Sequence, residues 1–457
     1  MRILSTFLLT AAMFSPSLVQ AAEVKVEGFY QLRTRLFDTL SLDRTTEFSE
    51  GLAWNHQHRL WLRPSFFITD EVALKVDVRG LDGVSWGQDR LVVEDATLNP
   101  LLGDLFSDTL NPPFSEDGER PSDISLWRAW GEVNTKAGTF RFGRQPLHWG
   151  KGIWQNDGLA LNTDFGDSAD RLSWEHLVKD VWVQLAVDVN AEGLVNATDD
   201  TTSFNAAVGY RSETIEGGVN MQYRRSGGPA AEGAFDLFTV DAAFKAELGM
   251  VGLDSEFIGR FGGGDLSESV TNVRVQQVGG VLDLNLNLPR LEVGVEAGFA
   301  TGDGDAADGK FTAFTFDPDY NVGLFMFEQP MPTLRDDVAA SGRAEDLALT
   351  GRALSNALYL RPRGSYKVIP KGLWLDGYVL TGRVAKVSDA VKAQGRQGYG
   401  YEFGLGLRWT GTRHLELAGL AGAYVPGSYQ TAYTDEIFVE GFRAPAFGGQ
   451  LLSRIRF

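Results

Sequence analysis

Apolar and polar residues alternate with a period of two along almost the whole chain. No apolar run beyond the first thirteen residues is long enough to cross a bilayer as a helix. Tyr30, Leu32, Thr34 and Leu36 share one face of a strand, opposite Gln31, Arg33 and Arg35. Leu60, Leu62, Phe66 and Ile68 oppose Arg59, Arg63 and Ser65. Leu282, Leu284, Leu286 and Leu288 oppose Asp283, Asn285 and Asn287; Tyr401, Phe403, Leu405, Leu407 and Trp409 oppose Glu402 and Arg408. A helix would repeat every 3.6 residues, so this pattern specifies strands with one apolar and one polar face.

Such segments fall near 24–37, 56–68, 71–80, 124–134, 138–144, 168–177, 180–190, 203–211, 215–225, 235–247, 251–261, 273–288, 291–300, 353–366, 372–386, 400–410, 414–424 and 447–457. They predict an all-β, antiparallel transmembrane barrel of about eighteen strands, with sixteen as the next count. Connections at 211–215, 248–251 and 289–290 are short, whereas 81–123, 191–202, 301–352 and 425–446 are long and polar. Short turns on one rim and long loops on the other is the asymmetry of a membrane barrel. A hydrophobic content of 43 % and a mean hydropathy of −0.14 fit a wall in which only alternate residues meet lipid. A large soluble β protein would show similar composition, so the ends of the chain matter.

The last strand ends Leu451, Ser453, Ile455 and Phe457 on one face, with Leu452, Arg454 and Arg456 on the other. A terminal strand closing on Phe is similar to the C-terminal signature of bacterial outer-membrane barrels. At the other end, Met1-Arg2 is a basic start, Ile3 to Met13 an apolar stretch, and Val19-Gln20-Ala21 a small-residue cleavage site. This is the pattern of a secretory signal peptide over 1–21, followed by one domain over 22–457. The net charge of −18 becomes about −19 once Arg2 is removed, which disfavours nucleic acid as a partner. The absence of Cys excludes a disulfide scaffold and thiolate metal sites. An outer-membrane barrel meets lipid and lipopolysaccharide and needs the barrel assembly machinery to insert.

No nucleophile elbow marks an enzyme. His56 and His58 share a face, as a metal pair or as polar residues at the lumen or rim. Asp303, Asp305 and Asp308 alternate with Gly in a loop that could wrap a hard cation such as Ca2+, without the Glu that completes an EF-hand. A solvated Asp-Gly turn fits the same residues. In Phe140-Arg-Phe-Gly-Arg-Gln-Pro-Leu-His-Trp-Gly-Lys-Gly152, a strand runs into a tight inturned loop. Its Arg141, Arg144 and Lys151 could place cations at a constriction.

Gly143-Arg144-Gln145 followed by Trp149-Gly150 resembles the GRQ…YG segment of the alginate-export family of outer-membrane barrels, with Trp in place of the family's Tyr. Gly302-Asp-Gly-Asp305…Asp308-Gly-Lys310, then Phe311 to Phe316, resembles a second segment of that family. The resemblance implies a monomeric barrel of about eighteen strands that passes a solute or an anionic polysaccharide through a charged lumen.

By parity, the expected pore lining is Arg33, Arg35, Arg59, Arg63, Arg128, Arg141, Arg224, Arg274, Arg408, Arg454 and Arg456, with Arg144 from the inturned segment. Glu132, Asp188, Asp283, Glu292, Glu296 and Glu402 are expected on the same face. Arginines in excess would favour anionic solutes. Arginine–carboxylate pairs could equally brace the wall without selecting anything. The functions open at this point are a passive anion channel, a general small-solute porin with 301–352 folded inward, and a non-conducting barrel within a secretion or envelope complex.

Overall fold

A computed structural model describes residues 23–38, 53–81, 124–191, 201–227, 234–265, 272–304, 308–328, 353–370, 372–386, 395, 397–429 and 444–457. The signal peptide expected over 1–21 lies outside these residues, as does the long segment 82–123.

The strands are β1 (Glu23–Phe37), β2 (Ala53–Phe67), β3 (Val72–Gly80), β4 (Ile124–Thr135), β5 (Gly138–Pro146) and β6 (Ser168–Val178). They continue with β7 (Val181–Ala191), β8 (Thr201–Arg211), β9 (Ile215–Gly227), β10 (Ala234–Leu248), β11 (Val251–Gly264), β12 (Val273–Asn287) and β13 (Leu291–Ala300). After β14 (Lys310–Phe311) come β15 (Ala357–Ile369), β16 (Leu373–Val384), β17 (Gly398–Trp409), β18 (Leu415–Pro426) and β19 (Ala446–Arg456). The two-residue β14 lies parallel to the start of β12 within a loop. The other eighteen pair antiparallel with their chain neighbours. The eighteen segments expected from alternation are these eighteen strands.

The sheet closes on itself through β1 and β19, with Gln31 opposite Arg454. Phe457 finishes the seam: its N–H donates to the Gly28 carbonyl at 3.1 Å, and the Gly28 N–H donates to its carbonyl at 3.0 Å. Closure leaves no unpaired strand edge, which is what a β structure in lipid requires.

Register sorts the faces. Phe142, Leu172, Val187, Phe204, Tyr223 and Phe238 stand side by side across β5 to β10, all outward and exposed. The neighbouring inward row runs Ser173, Ala186, Asn205, Gln222, Thr239, Arg260 and Gln277. A slip of one residue in any strand would put guanidiniums and carboxylates into lipid, so the register is strongly specified.

The largest buried apolar cluster lies inside the barrel. Phe314, Phe316, Leu324, Phe325, Met326 and Phe327 pack against wall residues such as Phe37, Ile258, Tyr359, Leu380 and Tyr424. These phenylalanines belong to the β13–β15 connection, so part of the loop expected at 301–352 folds inward.

Candidate functional site

Two connections enter the lumen, and charged side chains of the wall hold both. The β5–β6 loop covers 147–167. It starts with the Trp149-Gly150-Lys151-Gly152 turn, where Gly150 and Gly152 take φ of +55° and +85°, which favours glycine. The turn points three successive N–H groups at Glu256 of β11: Lys151 at 2.5 Å, Gly152 at 2.9 Å and Ile153 at 3.3 Å. A Cβ on Gly150 would sit 2.6 Å from the same carboxylate oxygen. The Trp149 indole N–H donates to Asp241 at 3.0 Å. Three converging N–H groups make a concave anion seat, here occupied by a side chain of the wall.

The rest of this loop hangs from arginines. Arg59 donates to the carbonyls of Thr163 and Asp164, both at 2.5 Å. Arg128 donates to those of Asp157 at 2.9 Å and Asp167 at 2.8 Å. Arg454 donates to those of Leu159 at 3.1 Å and Ala160 at 2.7 Å, and Arg79 reaches the Phe165 carbonyl. Arg33 ion-pairs with Asp164, and Arg35 lies 3.7 Å from it. Burial pushes the Asp164 carboxyl up, but Arg33, Arg35 and Arg59 together hold it below the usual carboxylate range.

The β13–β15 loop repeats the design with another glutamate. Glu402 of β17 accepts the N–H groups of Leu324 at 2.5 Å, Phe325 at 3.1 Å and Met326 at 2.7 Å, plus the Tyr378 hydroxyl at 2.6 Å. Arg361 reaches the Val322 carbonyl while pairing with Glu296 at 2.8 Å.

The loops then meet. Asp319 accepts the N–H of Asp164 at 2.5 Å and of Phe165 at 3.1 Å, and Asn321 donates to the Asn162 carbonyl at 2.9 Å. The Asp317 N–H donates to the Ile153 carbonyl at 2.9 Å.

Of the twelve arginines expected to line the pore, Arg33, Arg35, Arg59, Arg63, Arg128, Arg141, Arg224, Arg408, Arg454 and Arg456 lie on the inward face. Arg144 and Arg274 do not. Arg144 follows Phe140 and Phe142 in parity, opposes Asp170 and pairs with it at 2.8 Å on the outer surface. Arg274 has the parity of Leu282 and Leu284, so it too points outward. Both placements follow from the strict period of two. Lys151 does face inward, but it is engaged by Asp283 at 3.2 Å and Asp254 at 3.8 Å.

Wall pairs engage further inward cations. Arg63 meets Asp77 at 2.6 Å, Arg141 meets Glu132 at 2.8 Å, Arg408 meets Asp376 at 3.1 Å and Arg456 meets Glu416 at 2.7 Å. Arg79, Arg171, Arg260, Arg361 and Arg363 also point inward and were not among the expected residues. Their parity against Leu172, Phe261 and Leu360 was there to be used. Arg224 and Arg260 stand apart. Among the described residues neither has a carboxylate within ion-pair distance. Arg224 donates through Nε to Ser203 at 3.0 Å, and Arg260 lies 5.1 Å from the Phe314 ring and 6.0 Å from the Trp154 ring.

The histidine pair expected at the lumen or rim is on the outer face. His58 bonds Tyr30 at 2.7 Å and His56 bonds Thr34 at 2.8 Å. In the Asp-Gly loop, Asp303 accepts the Thr312 N–H at 3.1 Å, Asp308 pairs with Lys310 at 3.1 Å, and Asp305 lies outside the described residues. Among the described residues no three His, Cys, Asp or Glu side chains gather as a metal site.

No family model and no curated protein matches this sequence. Solved structures match over its length. Acinetobacter baumannii OccAB1 aligns at a TM-score of 0.55 with 11 % identity, over 95 % of this chain and 96 % of the other. Pseudomonas aeruginosa OpdL aligns at 0.54 and 12 %, covering 99 % of that chain, and Pseudomonas aeruginosa OccK8 (OprE) at 0.51 and 12 %, covering 98 %. At such identities the likeness is one of fold: a closed eighteen-strand antiparallel barrel of the outer-membrane porin type.

Proposed function

We propose that this chain is a monomeric outer-membrane channel that passes small anionic solutes passively through an arginine-lined lumen. The observation that carries the reading is the pair Arg224 and Arg260. They lie on strands separated only by β10, on the inward face, with no carboxylate partner among the described residues. Their neighbours on the wall are Asn205, Gln222, Thr239 and Gln277, which can donate or accept without adding negative charge. The nearest wall acids are already engaged, Asp188 by Arg171 at 2.6 Å and Asp241 by the Trp149 N–H at 3.0 Å. Two guanidiniums with no ion-pair partner among the described residues therefore lower the barrier for an anion and raise it for a cation. The other inward arginines support the channel indirectly, as fasteners of its loops and braces of its wall.

A long anionic polysaccharide, the cargo implied by the alginate-export resemblance, would need a continuous wide path. The two docked loops speak against it. The Trp149-Gly150 motif that carries the resemblance is used here to seat a loop on Glu256.

The test is the reversal potential in a salt gradient across a planar bilayer, for the refolded protein and for the double variant Arg224→Gln with Arg260→Gln. Anion selectivity that is lost in the double variant supports the proposal. Equal selectivity in both overturns the role of these arginines. No current from a folded barrel overturns the channel. Strong block by oligo-alginate together with a wide open state would favour the polymer as cargo.

A further inference from the structure

Arg144 and Arg274 point away from the lumen, and the register shows where that charge lies. One row of outward positions runs from Arg144 through Asp170, Thr202, Arg225 and Asp236 to Arg274, across β5 to β12. The row sits where the strands run into the long connections, at the outer-leaflet surface of the membrane. Two residues lower stands an aromatic row that includes Phe142, Phe204, Tyr223 and Phe238, as at a membrane interface. Around and below these rings a groove of about 640 Å³ opens on the lipid-facing side.

Ala206 makes the groove. In register it stands between Leu185 and Met221, with Phe204 two residues above it on the same strand. Large side chains therefore ring a position that holds only a methyl. Leu172 and Trp174 complete a wall that is almost wholly apolar. The volume falls in the range of small-ligand sites, roughly 300–1,000 Å³. Its floor at Ala206 lies four residues below Thr202 in the charged row, about 13 Å along the strand. An acyl chain hung from a headgroup at the row reaches it.

The acids of the row are already engaged. Asp170 pairs with Arg144 at 2.8 Å, and Asp236 accepts the Tyr223 hydroxyl at 2.6 Å. Lys310, beside Arg274 in register, is held by Asp308 at 3.1 Å. Arg225 and Arg274 are exposed and have no ion pair among the described residues. They stand three strand spacings apart, about 14 Å, too far for one phosphate to meet both. A headgroup with a phosphate at each end of a disaccharide spans that gap, and arginine–phosphate bonds are charge-assisted. A second copy of this chain, docked on the same face about a two-fold axis, would bring the same arginines to both sides of one contact. We infer that the outer face of β6 to β12 binds a bis-phosphorylated glycolipid of the outer leaflet, with Arg225 and Arg274 on its two phosphates and an acyl chain in the groove at Ala206. The lumen plays no part, so this site stands or falls independently of the channel reading.

The experiment is native mass spectrometry of the refolded, detergent-solubilised protein, titrated with bis-phosphorylated lipid A, its monophosphoryl form and phosphatidylethanolamine. One bis-phosphorylated molecule should be retained per barrel, about tenfold or more tighter than the other two lipids. The double variant Arg225→Gln with Arg274→Gln should bring it down to the level of the monophosphoryl form. Ala206→Trp fills the groove and should weaken all three lipids, with both variants checked as heat-modifiable barrels on a gel. Equal affinity of wild type for the bis- and monophosphoryl forms overturns the headgroup assignment, and this comparison needs no variant. Binding unchanged in the double variant overturns the role of the two arginines, and binding unchanged in Ala206→Trp overturns the groove. A lipid-free dimer of barrels that Ala206→Trp dissociates gives the face to a second copy and overturns the lipid site.

Discussion

Glu402 is the strongest single attachment of the β13–β15 loop, so its replacement should free that loop while leaving the barrel standing. The carboxylate is fully buried and accepts three backbone N–H groups and one tyrosine hydroxyl. In Glu402→Gln one oxygen survives as an acceptor, and the amide nitrogen turns its own donors on the N–H groups of Phe325 and Met326. Two charge-assisted bonds are lost, at about 1.5–3 kcal/mol each. The docked state should weaken by about 3–6 kcal/mol, a hundredfold to ten-thousandfold in its population ratio. None of the strand ladder bonds is touched, so the folded barrel should still run as a compact, heat-modifiable species on a gel. The assays are single-channel conductance and limited proteolysis. The variant should show larger or noisier current and cleavage between 312 and 328, at a protease level that leaves wild type intact. A variant with the conductance and cleavage pattern of wild type would refute the claim that this glutamate seats the loop.

Other expectations follow from the same geometry. Gly150→Ala puts a methyl 2.6 Å from the Glu256 carboxylate at a left-handed φ, and should loosen the β5–β6 loop, read as faster proteolysis within 147–167. Arg144→Ala and Arg274→Ala lie on the outer face and should leave the reversal potential unchanged. Gly404→Ala brings a methyl 2.1 Å from the Tyr378 ring, and should displace its hydroxyl from Glu402, giving a milder form of the Glu402→Gln phenotype. Deleting Phe457 removes both backbone bonds to Gly28 at the closing seam, and should lower the yield of heat-modifiable barrel on refolding.

The wall was legible in the sequence because one physical demand, lipid outside and water inside, acts on every second residue. That demand placed Arg33, Arg59 and Arg454 inward without any structure, and it identified the closing strand at Leu451 to Phe457. Where the reading erred, it departed from its own rule. Arg274 shares the parity of Leu282, and Arg144 that of Phe142, so both belong outside. The loop interior was not legible, for a different reason. Asn162 and Asn321 touch across 159 residues, and neither sits in a periodic segment. Asp319 looks like any polar turn residue until the fold brings the Asp164 and Phe165 N–H groups to it. The Trp149-Gly150-Lys151-Gly152 turn was visible as an inturned loop, but its cation suggested a constriction. The decisive group, Glu256, lies about a hundred residues away on the wall.

Much of the arginine lining serves the backbone. Arg59, Arg79, Arg128, Arg361 and Arg454 spend donors on loop carbonyls, and Glu256 and Glu402 accept loop N–H groups. Backbone groups carry no sequence identity, so such docking depends on chain path more than on loop side chains. Loop residues between the anchors can therefore change without detaching the loop, provided the turn glycines and the wall charges remain. Among the described residues Arg224 and Arg260 donate to no loop backbone group; Arg260 meets the loops only through the rings of Phe314 and Trp154, at 5.1 and 6.0 Å. Without a carboxylate at ion-pair distance among the described residues, both keep their charge for a passing solute. Selectivity and loop attachment thus fall on separable residues: Arg224→Gln with Arg260→Gln should alter which ions pass with the loops still docked. Glu402→Gln should alter how much passes while the preference for anions persists. If either variant produced the other's phenotype, the two roles would not be separate.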